Sequence, residues 1–163
     1  MWVKKFKEHK ILKQKLLSLI DKLPASKVNN IVKTDFFSER SFENGYLKLF
    51  YPYLIKHLKK LLPEFKSLKC QVHGVWFQQY IKNNVHDWHT HGDTNYAGIY
   101  YLELPSKTLI TEFLDKSKPK VKEGDILIFY ASKYHRSPLN KTNKRKTVIS
   151  FNCSFSEWNG EYQ

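Results

Sequence analysis

Three histidines and two aspartates crowd into residues 86 to 93, where His86, Asp87, His89, His91 and Asp93 surround Trp88, Thr90 and Gly92. Imidazole and carboxylate at this density point to a metal ion. On a strand, alternate side chains share a face, so His89 and His91 can close on one ion, and so can His91 and Asp93. A third ligand must come from elsewhere in the chain. His135 is well placed for this, because Gly124-Asp125 reads as a turn, an apolar strand follows, and the histidine stands at the next corner. Three ligands on one side of an ion leave the opposite positions open for a chelating co-substrate and dioxygen, and imidazole suits divalent iron. On spacing alone both ligand sets stay open. His86 and Asp87 precede the strand and are expected in its loop, and His9, His57 and His73 lie outside the cluster.

The elements that must hold these residues follow from periodicity. Residues 3 to 22 carry Phe6, Ile11, Leu12, Leu16, Leu17 and Ile20 near helical spacing, and Pro24 ends the pattern. A second stripe runs from Leu47 through Phe50, Leu54 and Leu58 to Leu62, with Pro52 marking an early turn or kink and Pro63 a stop. Beyond residue 69 the period becomes that of strands, predicted at 70–81, 97–104, 108–114, 124–131 and 145–155. Helices followed by strands make an α+β chain. No repeat or linker divides it, so residues 1–163 are expected to form one domain, helical over about 1–66 and strand-built over about 70–156.

Composition limits the remaining choices. Hydrophobic residues make up 41% of the 163 and aromatics 15%, enough for a core without disulfides. Cys70 and Cys153 stand far apart in no CxxC arrangement, so neither a disulfide framework nor a thiolate zinc site is expected. The basic N-terminal stretch is interrupted by lysines, unlike a signal peptide, and no segment approaches a membrane span. These features predict a soluble cytoplasmic protein without membrane partners. The formal charge of +13 favours polyanions, which leaves nucleic acid as a possible partner. A non-enzymatic reading follows from it: a basic β-domain stacking single-stranded nucleic acid on Tyr100, Phe113 and Tyr130.

Residues 75–105, from Val75 through the histidine cluster to the Tyr100-Tyr101-Leu102 strand, and residues 124–152, ending in Ser150-Phe151-Asn152, carry a family pattern. Together they resemble the Fe(II)/2-oxoglutarate-dependent oxygenases related to prolyl hydroxylases, especially short versions from marine phages and bacteria. The resemblance implies a double-stranded β-helix (jelly-roll) barrel with N-terminal packing helices. It aligns Ala97-Gly98 with the family's Ser-Gly pair, which implies His89, His91 and His135 as the metal ligands and leaves Asp93 without a counterpart. It further implies a dioxygenase that uses Fe(II), 2-oxoglutarate and dioxygen to hydroxylate its substrate with release of succinate and CO2. If the chain is phage-encoded, the host cytoplasm is its compartment. The family places a basic residue for the distal carboxylate of 2-oxoglutarate on the strand after the last histidine. Here that position is Lys146, eleven residues after His135, with Arg145 pointing to the opposite face. Tyr101 and Tyr80 resemble positions that support the co-substrate. A cupin-type metal enzyme that does not use 2-oxoglutarate is the rival reading, although Asn95 and Tyr96 stand where the usual cupin glutamate falls. The main substrate, whether protein, nucleotide or small molecule, has no legible signature.

Overall fold

A computed structural model describes residues 1–24, 32–37 and 43–157. In chain order the elements are β1 (Trp2–Lys5), α1 (His9–Asp21), β2 (Lys33–Thr34), α2 (Gly45–Lys59), β3 (Lys69–Tyr80), β4 (His86–His89) and β5 (Tyr96–Glu103). A 3-10 turn at Lys107–Leu109 follows, then β6 (Glu112–Phe113), β7 (Asp125–Tyr130), β8 (His135–Ser137) and β9 (Lys146–Ser156). All pairings are antiparallel. Six strands form one sheet in the order β1-β7-β5-β9-β3-β2, and three form a second in the order β4-β8-β6. The expected helical part includes stretches outside the described residues. No helix among those described is long and apolar enough to cross a membrane.

Alternation along the strands sorts side chains between two cores. Val75, Phe77, Tyr100, Ile126, Ile128, Ile149 and Phe151 face the helices, packing against Leu16, Ile20, Phe50 and Leu54. Their neighbours Tyr80, Tyr101, Leu127, Phe129 and Val148 face the other way and join Phe113 of β6, so the smaller sheet closes over the larger one. The edge-to-face contact of Phe113 with Phe129, centroids 4.9 Å apart, lies in this second core.

Several elements differ from the periodicity. Trp2–Lys5 is a strand rather than the first turn of a helix, and α1 begins only at His9. Its backbone pairs with the Asp125–Ile128 stretch of β7, an edge that would otherwise be open, and Trp2 packs against Phe65 and Tyr96. Pro52 stays within a continuous α2. The strand expected over 108–114 shrinks to Glu112–Phe113, because Ser106 accepts a hydrogen bond from the Thr108 backbone N–H and caps a 3-10 turn instead. His86 and Asp87 belong to β4 rather than to a loop, whereas His91 lies beyond the strand end. Tyr100 and Phe113 are buried in the two cores and present no face to a base, although Tyr130 is exposed.

Gly98 of β5 stands directly across from Phe151 of β9. A Cβ there would lie 2.0 Å from the Phe151 ring, which the sheet itself holds in place. Gly98→Val should therefore lower the unfolding free energy by about 1–3 kcal/mol, as for other overpacked cores, read as a lower urea midpoint at unchanged slope. An unchanged midpoint would mean that the ring is free to move aside.

Candidate metal centre

His89 ends β4 and stands opposite His135, the first residue of β8. His91 is placed by its backbone N–H, which donates to the Ala131 carbonyl at 3.0 Å. One ligand nitrogen from each of the three rings lies within 4.8 Å of the others, the one such group among the described residues. The Nε2 atoms of His91 and His135 are 3.2 Å apart. Nitrogens that bind one ion at about 2.0–2.1 Å would stand roughly 3 Å apart, so this spacing suits a shared metal. The far sides of two rings are already committed. His89 Nδ1 lies 2.7 Å from the Asp87 carbonyl and His135 Nδ1 lies 2.9 Å from the Lys133 carbonyl. Each Nδ1–H donates to its carbonyl, which leaves the Nε2 lone pair facing inward, the arrangement that orients metal-binding histidines. Asp93 stays outside. It is exposed at a positive φ of 53° in the loop after His91.

Burial favours the neutral ring at His86, His91 and His135. It pushes the His135 ring down to about 3 and the His91 and His86 rings to about 4, with the neighbouring histidines adding to the effect. Neutral imidazole is the form that binds a metal. His86, expected in a loop, stacks on His89 with centroids 4.1 Å apart, and its Nδ1 accepts a hydrogen bond from the Gln78 amide at 3.1 Å. The Gln78 carbonyl oxygen in turn accepts from Ser150 at 3.1 Å.

The same cavity runs from the three histidines to Lys146, with Tyr80, Thr111 and Ser137 on its wall. Lys146 is 2% exposed. Its ammonium donates to the Ser137 hydroxyl at 2.8 Å and lies 4.9 Å above the Tyr80 ring centroid and 5.9 Å from that of Tyr101. No carboxylate among the described residues pairs with it, and burial pulls its pKa down to about 7. Arg145 points away and forms ion pairs with Asp21 and Glu103, both at 2.8 Å. Tyr101 stands behind the wall. Its hydroxyl donates to Thr111 at 2.8 Å, so Thr111 is the hydroxyl that meets the cavity. Ser137, Gln78 and Thr111 were not singled out by motif. Ser137 lies two residues after His135 and Gln78 two before Tyr80, so strand alternation was the signal that would have found both.

No family model and no curated protein matches the chain. Solved structures do. A viral collagen prolyl hydroxylase from Paramecium bursaria Chlorella virus 1, in complex with 2OG, superposes with a TM-score of 0.67 at 16% identity, covering 94% of this chain and 95% of that one. An oxidoreductase of the 2OG-Fe(II) oxygenase family from Burkholderia pseudomallei gives 0.66 at 12%, covering 91% and 79%. HygX from Streptomyces hygroscopicus, with nickel and 2-oxoglutarate bound, gives 0.60 at 12%, covering 96% and 84%. The chain thus has the fold of the 2OG-Fe(II) oxygenases.

An unfolded histidine takes up its proton near pH 6.5, whereas the rings of His86, His91 and His135 resist protonation in the fold down to about pH 4 or below. The unfolded chain therefore binds more protons in this window, and stability falls as the pH drops from 6.5 toward 4. The melting temperature of metal-free protein should decline across that range, with a shallower slope in His135→Gln. Identical slopes in parent and variant would show that His135 is not held neutral.

Proposed function

We propose that this chain is a jelly-roll (double-stranded β-helix) oxygenase that binds divalent iron through His89, His91 and His135. With 2-oxoglutarate and dioxygen as co-substrates it hydroxylates a C–H bond: R–H, 2-oxoglutarate and O2 become R–OH, succinate and CO2. The observation that carries the reading is Lys146, a buried lysine that no carboxylate among the described residues pairs with, in the same cavity as three converging imidazoles. A buried charge left unpaired is costly, and a dianionic ligand that also reaches the metal supplies what it lacks.

Bound iron would supply the redox chemistry that activates dioxygen. The chain's own groups do the positioning. Lys146 and the Ser137 hydroxyl receive the distal carboxylate, Thr111 offers a further hydroxyl, and the rings of Tyr80 and Tyr101 flank the ammonium and keep water from it. Lysine is a point charge rather than a planar fork, so this anchor selects charge more than shape.

Succinate should form from 2-oxoglutarate only with iron and dioxygen present, and His135→Ala should abolish it. A purified iron-loaded protein that makes no succinate with any substrate and shows no 2-oxoglutarate charge-transfer band would favour a cupin-type metal enzyme instead. Lys146→Met should raise the 2-oxoglutarate dissociation constant at least tenfold, consistent with about 2–5 kcal/mol for a buried carboxylate left unpaired, with iron still bound. Arg145→Met should leave it nearly unchanged.

The ammonium also sets a pH dependence. In the empty cavity Lys146 loses its proton above about pH 7, while the carboxylate needs the charged form, so 2-oxoglutarate affinity should fall about tenfold per pH unit above that point. Lys146→Arg, charged throughout, should flatten the profile. Equal slopes in the two proteins would remove Lys146 as the anchor.

A further inference from the structure

The wall of the metal cavity formed by Trp76, Gln78, His86, His89 and His91 is shared with a second opening, a groove of about 490 Å³ that leads to the surface. Its outer end is aromatic. Phe36 and Phe37 stand edge to face with centroids 4.9 Å apart, and Phe36 meets Trp76 in the same manner at 4.9 Å. The two phenylalanines are 52% and 63% exposed. The fold nonetheless holds them in place, because the preceding residue, Asp35, is buried and accepts hydrogen bonds from the Tyr46 hydroxyl at 2.7 Å, the Asn44 amide at 2.9 Å and the Phe77 backbone N–H at 2.9 Å. The Thr34 hydroxyl adds a bond to the Phe77 carbonyl and receives one from the Phe36 N–H.

Beyond the groove's lining, the adjoining loops carry lysines. Val85 ends the turn that carries Lys82, and that turn is locked to the 140–144 loop, which carries Lys141 and Lys144. Asn83 donates to the Asn140 carbonyl at 2.8 Å and Asn140 donates to the Asn84 carbonyl at 2.9 Å. Lys82, Lys141 and Lys144 are exposed, and none forms an ion pair among the described residues. The charged side chain lining the groove is Asp87, whose carboxylate accepts from the Trp88 backbone N–H at 2.8 Å; carboxylates also accept from exocyclic amino groups such as cytosine N4.

We propose that this groove receives single-stranded nucleic acid, with a base stacked on Phe36 and Phe37 above the three histidines and the flanking phosphates on Lys82, Lys141 and Lys144. Aromatic faces for bases and cations for phosphates are the two elements of single-strand binding; the groove supplies the first and the lysines of the loops next to Val85 the second, and the net charge of +13 favours the same ligand over a neutral peptide. The inference rests on the oxygenase reading, since it names the substrate class of that site.

Fluorescence anisotropy of the full chain with a labelled twelve-nucleotide deoxycytidine oligomer tests it. The oligomer should bind at least fivefold more tightly than an abasic strand of equal length or a glutamate peptide of equal charge. Phe36→Ala with Phe37→Ala should remove that advantage while leaving the abasic strand's affinity unchanged. Replacing Lys82, Lys141 and Lys144 by Gln should reduce the slope of log K against log salt by about 2, at roughly 0.7 per single-strand phosphate contact. Equal binding of the abasic strand, or tighter binding of the glutamate peptide, would overturn the proposal in favour of charge alone or an acidic protein partner. The 2-oxoglutarate charge-transfer band of the iron-loaded protein, recorded on the same preparation, separates the two readings. A band without base-dependent binding defeats only the nucleic-acid substrate, whereas base-dependent binding without a band defeats the oxygenase reading and leaves the groove a binding site.

Discussion

Strand β9 is hydrogen-bonded on both edges, to β5 and to β3, and its register determines what reaches the site. Lys146, Val148 and Ser150 turn toward the smaller sheet, while Thr147, Ile149 and Phe151 turn toward the helices. A slip of one residue would exchange these sets, exposing Phe151 to the cavity and drawing Lys146 into the helical core. The contact of Gly98 with the Phe151 ring opposes such a slip, because the ring occupies the space that a glycine alone leaves open. The pairing of β5 with β9 shifts between Tyr101 and Glu103, and Glu103 is found with Arg145 and Thr147 rather than on the Tyr101 face.

The electrostatics of the cavity follow from this packing. Water is kept from Lys146 by Tyr80 and Tyr101, and from His135 by Phe113 and Phe129, so the same desolvation lowers the ammonium and the His135 imidazole together. The two effects are complementary. A neutral histidine is ready for a cation, and a lysine with no carboxylate partner among the described residues is ready for an anion. The cost of holding both is borne by the larger helix-facing core, which packs two helices against the far side of the same strands.

The sequence carried the strands and the histidine spacing because alternation and turn residues are local signals. Strands β3, β5, β7 and β9 lie within one residue of their expected bounds at each end. Lys146 and Arg145 were separable for the same reason, since adjacent residues on one strand must face opposite ways. The choice of His89 over Asp93 came from resemblance rather than spacing, and the structure places Asp93 away from the converging rings.

Other features depend on distant partners and had no local signature. Trp2–Lys5 became a strand because β7 offers an edge, and Tyr100 and Phe113 were buried by layers that alternation cannot assign to a core. His86 reached the site through Gln78 on β3 of the opposite sheet. Thr111 met the cavity in place of Tyr101, and Phe36 and Phe37 were held at the groove by Asp35 bonding to α2 and β3. What the sequence determined by itself was the set of chemical groups and the face each takes within its own strand, since backbone geometry alone dictates that. Only the tertiary structure decided which faces meet, because sheet pairing and layer packing join residues that no local pattern relates.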